Sequence, residues 1–239
     1  MTILVVGASG ATGRHLVQQL LNNGHNVKAI VRSSKVFIEY VKSCENLSII
    51  EKSILDIIDA DIKEYLKDCD AVVSCLGHTL SFKGIYGQPR MLVTKAVQLL
   101  CDAIKSNNQN KKVKFILMNT TGNTNRDINE KISFAQKIVI GLIRLLLPPH
   151  LDNERAADYL RINIGQDNEK IEWAAVRPDG LINETNVSAY DVHPSPIRSA
   201  IFDAGQTSRI NVANFMSELI SDDNKWDNWK GKMPVIYNI

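Results

Sequence analysis

Short apolar runs alternate along the chain with amphipathic stretches. Six apolar runs have the length and composition of buried strands, at residues 3–6, 27–31, 47–50, 70–77, 113–119 and 172–178. Between them, residues 11–23, 58–66 and 89–106 have a helical pattern, and Pro148 and Pro149 separate two further helices. Strands that alternate with helices through short connections predict a doubly wound, parallel α/β sheet with right-handed crossovers.

The regular alternation weakens after Pro178. We expect residues 179–239 to form a small C-terminal lobe over the carboxyl edge of the sheet, with a helix at 212–221 and a last strand at 235–237. The chain has 239 residues, of which 44% are hydrophobic, and this is enough for one large domain. The sequence predicts a single domain over residues 1–239, in which residues 33–43 are a helix or a loop.

Charge and cysteine spacing argue against several kinds of protein. The formal net charge of +2 is too small for the clustered basic face of a nucleic-acid-binding protein. The four cysteines, at 44, 69, 75 and 101, have no CxxC spacing, which favours the reduced thiols of a cytoplasmic protein over a metal site or disulfides. Because the first strand starts near Thr2, we expect no signal peptide.

One apolar segment, residues 138–147, raises the question of a membrane. It contains Arg144 and is shorter than the about 20 apolar residues that a spanning helix needs. We therefore expect no membrane span. A buried or cavity-lining helix is the favoured interpretation, and peripheral membrane contact is the weaker alternative.

Three glycines, Gly7, Gly10 and Gly13, follow the first strand in the sequence GASGATG. A sharp turn after a strand needs the positive φ that glycine allows, and a phosphate needs close access to the backbone. The helix that follows offers unpaired amides and the positive end of its dipole to an anion. The motif therefore predicts dinucleotide binding, with a plain tight turn as the alternative. The other residues of the predicted turn are Ser9, Ala11 and Thr12.

The second strand ends in the sequence AIVRSSK, which has an arginine where an NAD site usually has an acidic residue. Arg32, and Arg14 beside the last glycine, can hold the 2′-phosphate of NADP, and Ser33 can assist. We therefore expect NADP, with NAD as the less favoured cofactor. Arg14 as an ordinary exposed helix residue is the alternative.

Further candidates follow the third and fourth strands. Asp56, which precedes Ile57, either accepts a hydrogen bond from the adenine amino group or caps the next helix. Leu76, Gly77 and His78 end the fourth strand, at the edge where open α/β sheets bind ligands. We expect Gly77 to let a cofactor pass close to the backbone. His78 either faces the substrate or is a solvated loop histidine.

The segments VVGASGATGRHLV, VRSS, SCLG and WAAVRPDGLI together resemble the atypical short-chain dehydrogenase/reductase superfamily. The closer match is its NAD(P)H-binding branch, which includes biliverdin reductase B-like and NmrA-like proteins, and it covers nearly the whole chain. The resemblance implies a Rossmann-type fold, a nicotinamide cofactor and a hydroxyl group after the fifth strand. Thr120 matches that position best and Thr121 second, directly after Asn119.

Classical members of this superfamily carry Tyr-x-x-x-Lys on the next helix, with the tyrosine as proton donor and the lysine at the ribose. This chain has Asn153 at the position that resembles the lysine and Pro149 four residues earlier. The resemblance therefore implies either a reductase that takes its proton from another source or a protein that binds the cofactor without catalysis. Pro178, in a family-like Arg-Pro pair, is expected to edge the nicotinamide.

The sequence thus predicts an NADPH-dependent oxidoreductase that acts on a small carbonyl, quinone, flavin or tetrapyrrole-like substrate. Thr120 would orient this substrate, and His78 or solvent would supply the proton. The alternative is a non-catalytic NADP(H)-binding sensor or regulatory protein, whose apolar helix offers a partner surface. An epimerase or dehydratase is weaker, because its chemistry depends on the missing pair. We expect a monomer or a homodimer, and an internal salt bridge for Arg209.

Overall fold

A mostly parallel β-sheet forms the centre of the molecule, which the computed structural model describes at residues 1–37, 44–79, 81–107, 109 and 111–239. The strands are β1 Thr2–Val6, β2 Asn26–Val31, β3 Leu47–Glu51, β4 Ala71–Ser74, β5 Val113–Met118, β6 Ile171–Pro178, β7 Gly180–Ile182, β8 Tyr190–His193, β9 Gln206–Ser208 and β10 Val235–Asn238. Eight of them pair in the order β3-β2-β1-β4-β5-β6-β10-β8, and β7 pairs with β9. The main sheet is parallel up to β10, and β8 runs antiparallel at its edge.

Helices cover both faces of this sheet. They are α1 Ala11–Asn22, α2 Asp59–Leu66, α3 Phe82–Tyr86, α4 Leu92–Ser106, α5 Phe134–Leu146, α6 Pro148–Asp158, α7 Arg209–Ser221 and α8 Asp223–Trp229, with 3₁₀ turns at Ser34–Phe37 and Ile54–Asp56 and a π-helical segment at Tyr159–Ile164. Side chains of β1 alternate between two buried clusters: Leu4 packs with α4 and α6, and Val5 packs with α1 and α7. The predicted doubly wound parallel sheet is confirmed.

The first six strands lie close to their predicted positions. β4 ends at Ser74 rather than at residue 77, so the predicted site residues of this segment lie in the loop beyond the strand. α4 begins at Leu92 rather than at residue 89. Within 33–43, Ser34–Phe37 forms a 3₁₀ turn, and residues 38–43 lie outside the described part of the chain.

The C-terminal residues extend the main sheet and also add a small second one. α7 and β10 lie near the predicted helix and last strand. β10 pairs in parallel with β6, with Val235 opposite Arg177. β7 follows β6 directly, and its parallel partner β9 leads into α7. This arrangement brings the start of α7 towards the carboxyl edge of the sheet.

Arg177 is a fully buried charge near the end of β6. Its guanidinium group donates to the carbonyl oxygens of Met233 and Asn123 at 2.8 and 2.9 Å, and to Oε1 of Glu130 at 2.7 Å. A buried charge is tolerated when it is paired and hydrogen-bonded in this way. The arginine therefore fixes the loop after β5 against the end of β6.

α5 contradicts the prediction of a buried or cavity-lining helix. Phe134 and Leu145 are 78% and 80% exposed, whereas Ile140 is among its few buried side chains. The sequence misled because polar residues of this helix face the protein: Gln136 is buried beside Ile140, and Arg144 bonds to Glu154, so the apolar side is left exposed. Within the described residues no single helix is long and apolar enough to cross a membrane; Phe134–Leu146 and Pro148–Ile164 pass such a test only as a pair bent by 104°, on length and composition alone.

Candidate active site

Two glycines of the β1–α1 turn lie where a side chain would collide with backbone atoms. Gly7 has a φ of +74°, and a Cβ at this position would lie 2.6 Å from the carbonyl carbon and oxygen of Cys75. A Cβ on Gly13 would lie 2.2 Å from the carbonyl oxygen of Gly7. The predicted sharp turn and the close packing of the helix against it are both confirmed.

The start of α1 has the properties of an anion site. Gly10 is its N-cap residue, and the first turn has neither an acidic residue nor a capping side chain. Amides in the first turn of a helix have no acceptor within the helix, and they carry the positive end of its dipole. A phosphate group that approaches this turn would therefore meet donors that no capping side chain occupies.

A cavity of about 430 Å³ opens beside this turn. It lies where the strand order reverses between β1 and β4, the usual ligand position in open α/β sheets. The predicted residues that line it are Gly7, Ser9, Gly10, Ala11, Thr12, Arg32, Leu76, Gly77 and His78. The predicted residues outside its lining are Gly13, Arg14, Ser33, Asp56, Ile57, Asn119, Thr120, Thr121, Asn153 and Pro178.

Sequence reasoning missed several residues of the cavity wall. They are Val6, Ile30, Val31, Lys52, Ser53, Ile54, Cys75, Thr79, Pro89, Leu92, Met118 and Arg209. Most of them lie at or just beyond strand ends, so a search of every predicted strand end would have found them. Arg209 has no such signal, because it reaches the cavity from the far end of the chain.

Arg209, the first residue of α7, lines the cavity instead of forming the predicted salt bridge. Its Nη1 donates to Oδ1 of Asn183 at 2.8 Å and to the carbonyl oxygen of Leu181 at 3.4 Å. Among the described residues no carboxylate pairs with it. Burial and then the nearby charges of Arg14 and Arg209 hold the pKa of His15 below its usual value, which is consistent with a positive environment at the start of α1.

The β2 end of the site also carries unpaired positive charge. Arg32 and Arg14 are exposed, and neither guanidinium group forms a hydrogen bond or an ion pair with another residue that the structure describes. Glu51, at the end of β3, adds a negative charge at this end of the site. Its Oε2 accepts a hydrogen bond from the Ser34 amide at 2.9 Å. The hydrogen bonds from Ser34 hold the pKa of Glu51 below its usual value, so this carboxylate stays charged near the positions expected to select the cofactor.

Asp56 and Ile57 follow β3 but differ in environment. Asp56 is exposed, and Ile57 is buried in the core. The N-cap of α2 is Ile58 and has no side-chain capping bond, so the capping alternative for Asp56 is wrong. Contact with adenine stays a prediction for Asp56.

His78 lines the cavity, but both of its ring nitrogens are engaged. Nε2 lies 2.8 Å from Oδ2 of Asp152, and Nδ1 lies 3.2 Å from the carbonyl oxygen of Gly84. Asp152 also accepts the amides of Val93 and Thr94 at the start of α4. Burial alone would raise the pKa of Asp152, but the hydrogen bonds from His78 and Thr94 outweigh it and lower that pKa. His78 is thus a buried link between the β4 loop and two helices, and not a solvated loop histidine.

The two threonines after β5 have different partners. Thr121 is buried, and its hydroxyl group donates to Oδ1 of Asp179 at 3.0 Å. Thr120 is half-buried, and its Oγ1 accepts from the amide of Gly122 at 3.3 Å. Because a hydroxyl group has one donor, Thr120 keeps its proton available for a ligand, whereas Thr121 has already used its own.

The other predicted residues near the ends of β5 and β6 make hydrogen bonds with the backbone of neighbouring segments. Nδ2 of Asn119 donates to the carbonyl oxygen of Asn153 at 2.9 Å, and its Oδ1 accepts from the amide of Thr120 at 2.9 Å. Pro178 accepts the amide of Thr121 at 3.1 Å. The side-chain amide of Asn153 has no hydrogen-bond partner in the part of the chain that the structure describes. Asn119 and Pro178 thereby link the ends of β5 and β6 to α6 and to each other.

A family model described as NAD(P)H-binding matches residues 7–223, which contain the glycine turn and most of the sheet. The chain belongs to this NAD(P)H-binding family. The nicotinamide cofactor expected from the glycine turn is therefore supported, while the choice between NADP and NAD is not decided by the match.

Solved structures share the fold of this NAD(P)H-binding protein at low sequence identity. A protein of Lactobacillus casei is 16% identical with a TM-score of 0.73, over 100% of this chain and 99% of that one. A putative NADH-flavin reductase of Streptococcus pneumoniae is 18% identical with a TM-score of 0.67, over 100% of both chains. An anaerobilin reductase of Escherichia coli O157:H7 is 14% identical with a TM-score of 0.69, over 100% of this chain and 97% of that one.

One curated relative matches over a shorter stretch. The uncharacterized protein YwnB of Bacillus subtilis (strain 168) is 34% identical over 77 residues. The match covers 32% of this chain and 32% of that protein, so this chain spans about a third of the relative it matches.

The lining of the cavity in this NAD(P)H-binding protein offers groups that suit parts of a dinucleotide. The turn amides suit a pyrophosphate, and Arg32 and Arg209 add positive charge at the cavity wall. A Cβ on Gly77 would meet no atom within 4 Å, so the wall beside it is open. Met118, at the end of β5, connects this wall to the loop that carries Thr120.

Proposed function

We propose that the protein is an NADPH-dependent oxidoreductase that reduces a small carbonyl, quinone, flavin or tetrapyrrole-like substrate. The observation that carries the proposal is the cavity at the β1–β4 edge, where the glycine turn and unpaired arginines adjoin the end of β5. When bound, a reduced nicotinamide supplies a hydride to the substrate. The protein then has to hold the substrate in position and supply a proton.

NADP is the proposed cofactor because positive charge dominates the ribose end of the cavity. Arg32 follows β2 directly, where an NAD site would have an acidic residue. A guanidinium group and a phosphate form charge-assisted, often bidentate hydrogen bonds. Glu51 is the opposing feature, since its carboxylate would repel a 2′-phosphate held beside Ser34.

Thr120 is the proposed substrate-orienting residue. Its hydroxyl proton is available, and a donor at this position would stabilise negative charge that develops on a substrate oxygen. Thr121 is less suited, because its hydroxyl group is buried and bonded to Asp179.

Turnover tests this proposal directly. We expect the protein to oxidise NADPH, followed at about 340 nm, the band of the reduced cofactor, with at least one of a panel of flavins, quinones, tetrapyrroles and aldehydes. Because one oxyanion donor typically contributes about 10²–10³ to kcat, Thr120→Ala should lower the rate by up to that factor. Thr120→Ser keeps the hydroxyl group and should keep most of the rate. Tight NADPH binding without turnover on any substrate would contradict the oxidoreductase proposal.

The second candidate is a non-catalytic NADP(H)-binding sensor or regulator. The exposed apolar side of α5 favours it, because large contiguous apolar patches usually mark interaction sites. The absence of the Tyr–Lys pair from the sequence points in the same direction. NADPH binding combined with no turnover would support this candidate.

A further inference from the structure

The loop after β5 brings Gly122 close to two polar side chains. A Cβ built on Gly122 would lie 3.3 Å from Cε1 and 3.7 Å from Nδ1 of His150, and 3.7 Å from Oγ1 of Thr120. The imidazole ring and the threonine hydroxyl group therefore lie beside the same glycine, and a Cβ at this position would be in tight contact with the ring. This hydroxyl group is the one to which we assign substrate orientation.

A buried carboxylate contacts one of the two ring nitrogens of His150. Nε2 lies 3.3 Å from Oε1 of Glu154, one helical turn later in α6, and both side chains are largely buried. The two atoms lie within ion-pair distance but do not meet hydrogen-bond geometry, and Nε2 has no other polar partner among the described residues. Glu154 thus restrains one ring nitrogen, and Nδ1 makes no hydrogen bond to a described residue.

Arg144 of α5 and Arg126, which precedes α5, stabilise the negative charge of Glu154. Nε and Nη2 of Arg144 donate to its two oxygens at 2.8 to 3.0 Å, and Nη2 of Arg126 lies 3.9 Å from it. Burial would raise the pKa of Glu154, but the hydrogen bonds and charges of His150 and Arg144 outweigh it and lower that pKa to about 2. The carboxylate is therefore ionised at neutral pH.

His78 and His150 differ in what their ring nitrogens can still do. Both nitrogens of His78 face acceptors of the protein itself, the Asp152 carboxylate and the Gly84 carbonyl group. In His150, Nε2 contacts Glu154, whereas Nδ1 lies near Gly122 and makes no hydrogen bond to a described residue. Of the two, His150 is the one that can donate a proton to a ligand without breaking an internal hydrogen bond.

We propose that His150 is the proton donor of the reduction, and that Glu154 is its positioning residue. His150 would replace the tyrosine of the Tyr-x-x-x-Lys pair, which this chain does not have. This inference rests on the proposed oxidoreductase function. The substrate carbonyl carbon gains a hydride, that is, two electrons and a proton, from the reduced cofactor. The carbonyl π pair moves to the oxygen, which takes the proton from Nδ1 of His150. The products are an alcohol, the oxidised cofactor and a neutral imidazole, which water reprotonates.

The test combines His150→Gln with measurements that do not depend on turnover. NADPH affinity, measured by fluorescence titration, should match that of the wild type, because His150 lies outside the cavity lining. kcat should fall by about 10²–10⁴, the usual contribution of a general acid. In the wild type kcat should also decline as pH rises and the proton donor is deprotonated, and His150→Gln should lack this decline. His25→Gln, which removes a ring bonded to Ser221 at the far end of α1, is the matched control with the wild-type rate.

Glu154→Gln and chemical rescue separate catalysis from structure. In Glu154→Gln kcat should fall while KM and NADPH affinity stay at their wild-type values, because the His150 ring loses the carboxylate that orients it. Added imidazole should restore part of the rate of His150→Gly, which a purely structural role would not allow. If His150→Gln binds NADPH normally and keeps both kcat and its pH dependence, the proton-donor assignment is overturned while the oxidoreductase function stands. If the wild type shows no turnover with any substrate, both proposals fail together.

Discussion

At the scale of single residues, Gly13 has the least room of the turn glycines. A methyl group there would lie 2.2 Å from the carbonyl oxygen of Gly7, so α1 would have to move away from the turn. We expect Gly13→Ala to destabilise the protein by about 1–3 kcal/mol, the usual cost of overpacking, and to weaken NADPH binding. Thermal melting and cofactor titration measure the two effects.

Gly141→Ala is the matched control for this substitution. Its Cβ would meet no atom within 4 Å, and it lies inside α5, where alanine is favoured over glycine by about 1 kcal/mol. It should therefore leave NADPH binding unchanged and raise the melting temperature slightly. Equal losses of stability in both variants would contradict the packing account of Gly13.

Individual residues could be predicted where their role depends on near neighbours in the chain. Gly7 and Gly13 follow from one strand, one turn and one helix, and the structure has the geometry expected of them. His150 could not be found in this way, because Thr120 and Gly122 approach it from a different element. The spacing that was searched for, tyrosine followed by lysine, also directed attention to Pro149 and away from its neighbour. The contact of Arg209 with the cavity depends on the packing of α7 and is equally non-local.

At the scale of elements, α5 has two apolar sides of very different importance. Ile140 is 3% exposed, and Leu145 is 80% exposed. We expect Ile140→Ala to cost about 2–5 kcal/mol of unfolding free energy, as for other buried aliphatic truncations. Leu145→Ala should change it by no more than about 0.5 kcal/mol. Urea unfolding measures both, and a large loss in Leu145→Ala would show that this side of α5 is covered in solution.

The strands and helices of the βα repeat were largely predictable because their patterns are local. β7, β8 and β9 were not, because they have three or four residues each and are defined by partners far along the chain. The same reason applies to the burial of α5. Its composition predicts a helix, but which side contacts α6 is decided by tertiary packing.

At the scale of the whole molecule, the cavity is assembled by the sheet order. The ends of β1, β2, β3, β4 and β5 meet at one edge, and α7 returns from the C-terminal region to close it with Arg209. The sequence could predict the turn and the strand ends that line this edge, since alternating strands and helices imply a parallel sheet. It could not predict Arg209, whose position depends on how α7 packs against the rest of the molecule.

The most direct test of the central claim is a parallel titration of the wild type with NADPH and NADH, followed by fluorescence. We expect NADPH to bind more tightly than NADH. Arg32→Ala should lose about 1.5–3 kcal/mol of binding free energy for NADPH, the usual value of a hydrogen bond to a charged group, and little for NADH. Glu51→Gln should shift the preference further towards NADPH. Equal binding of both cofactors would contradict the role of Arg32, and binding of neither would contradict the assignment of the glycine turn itself.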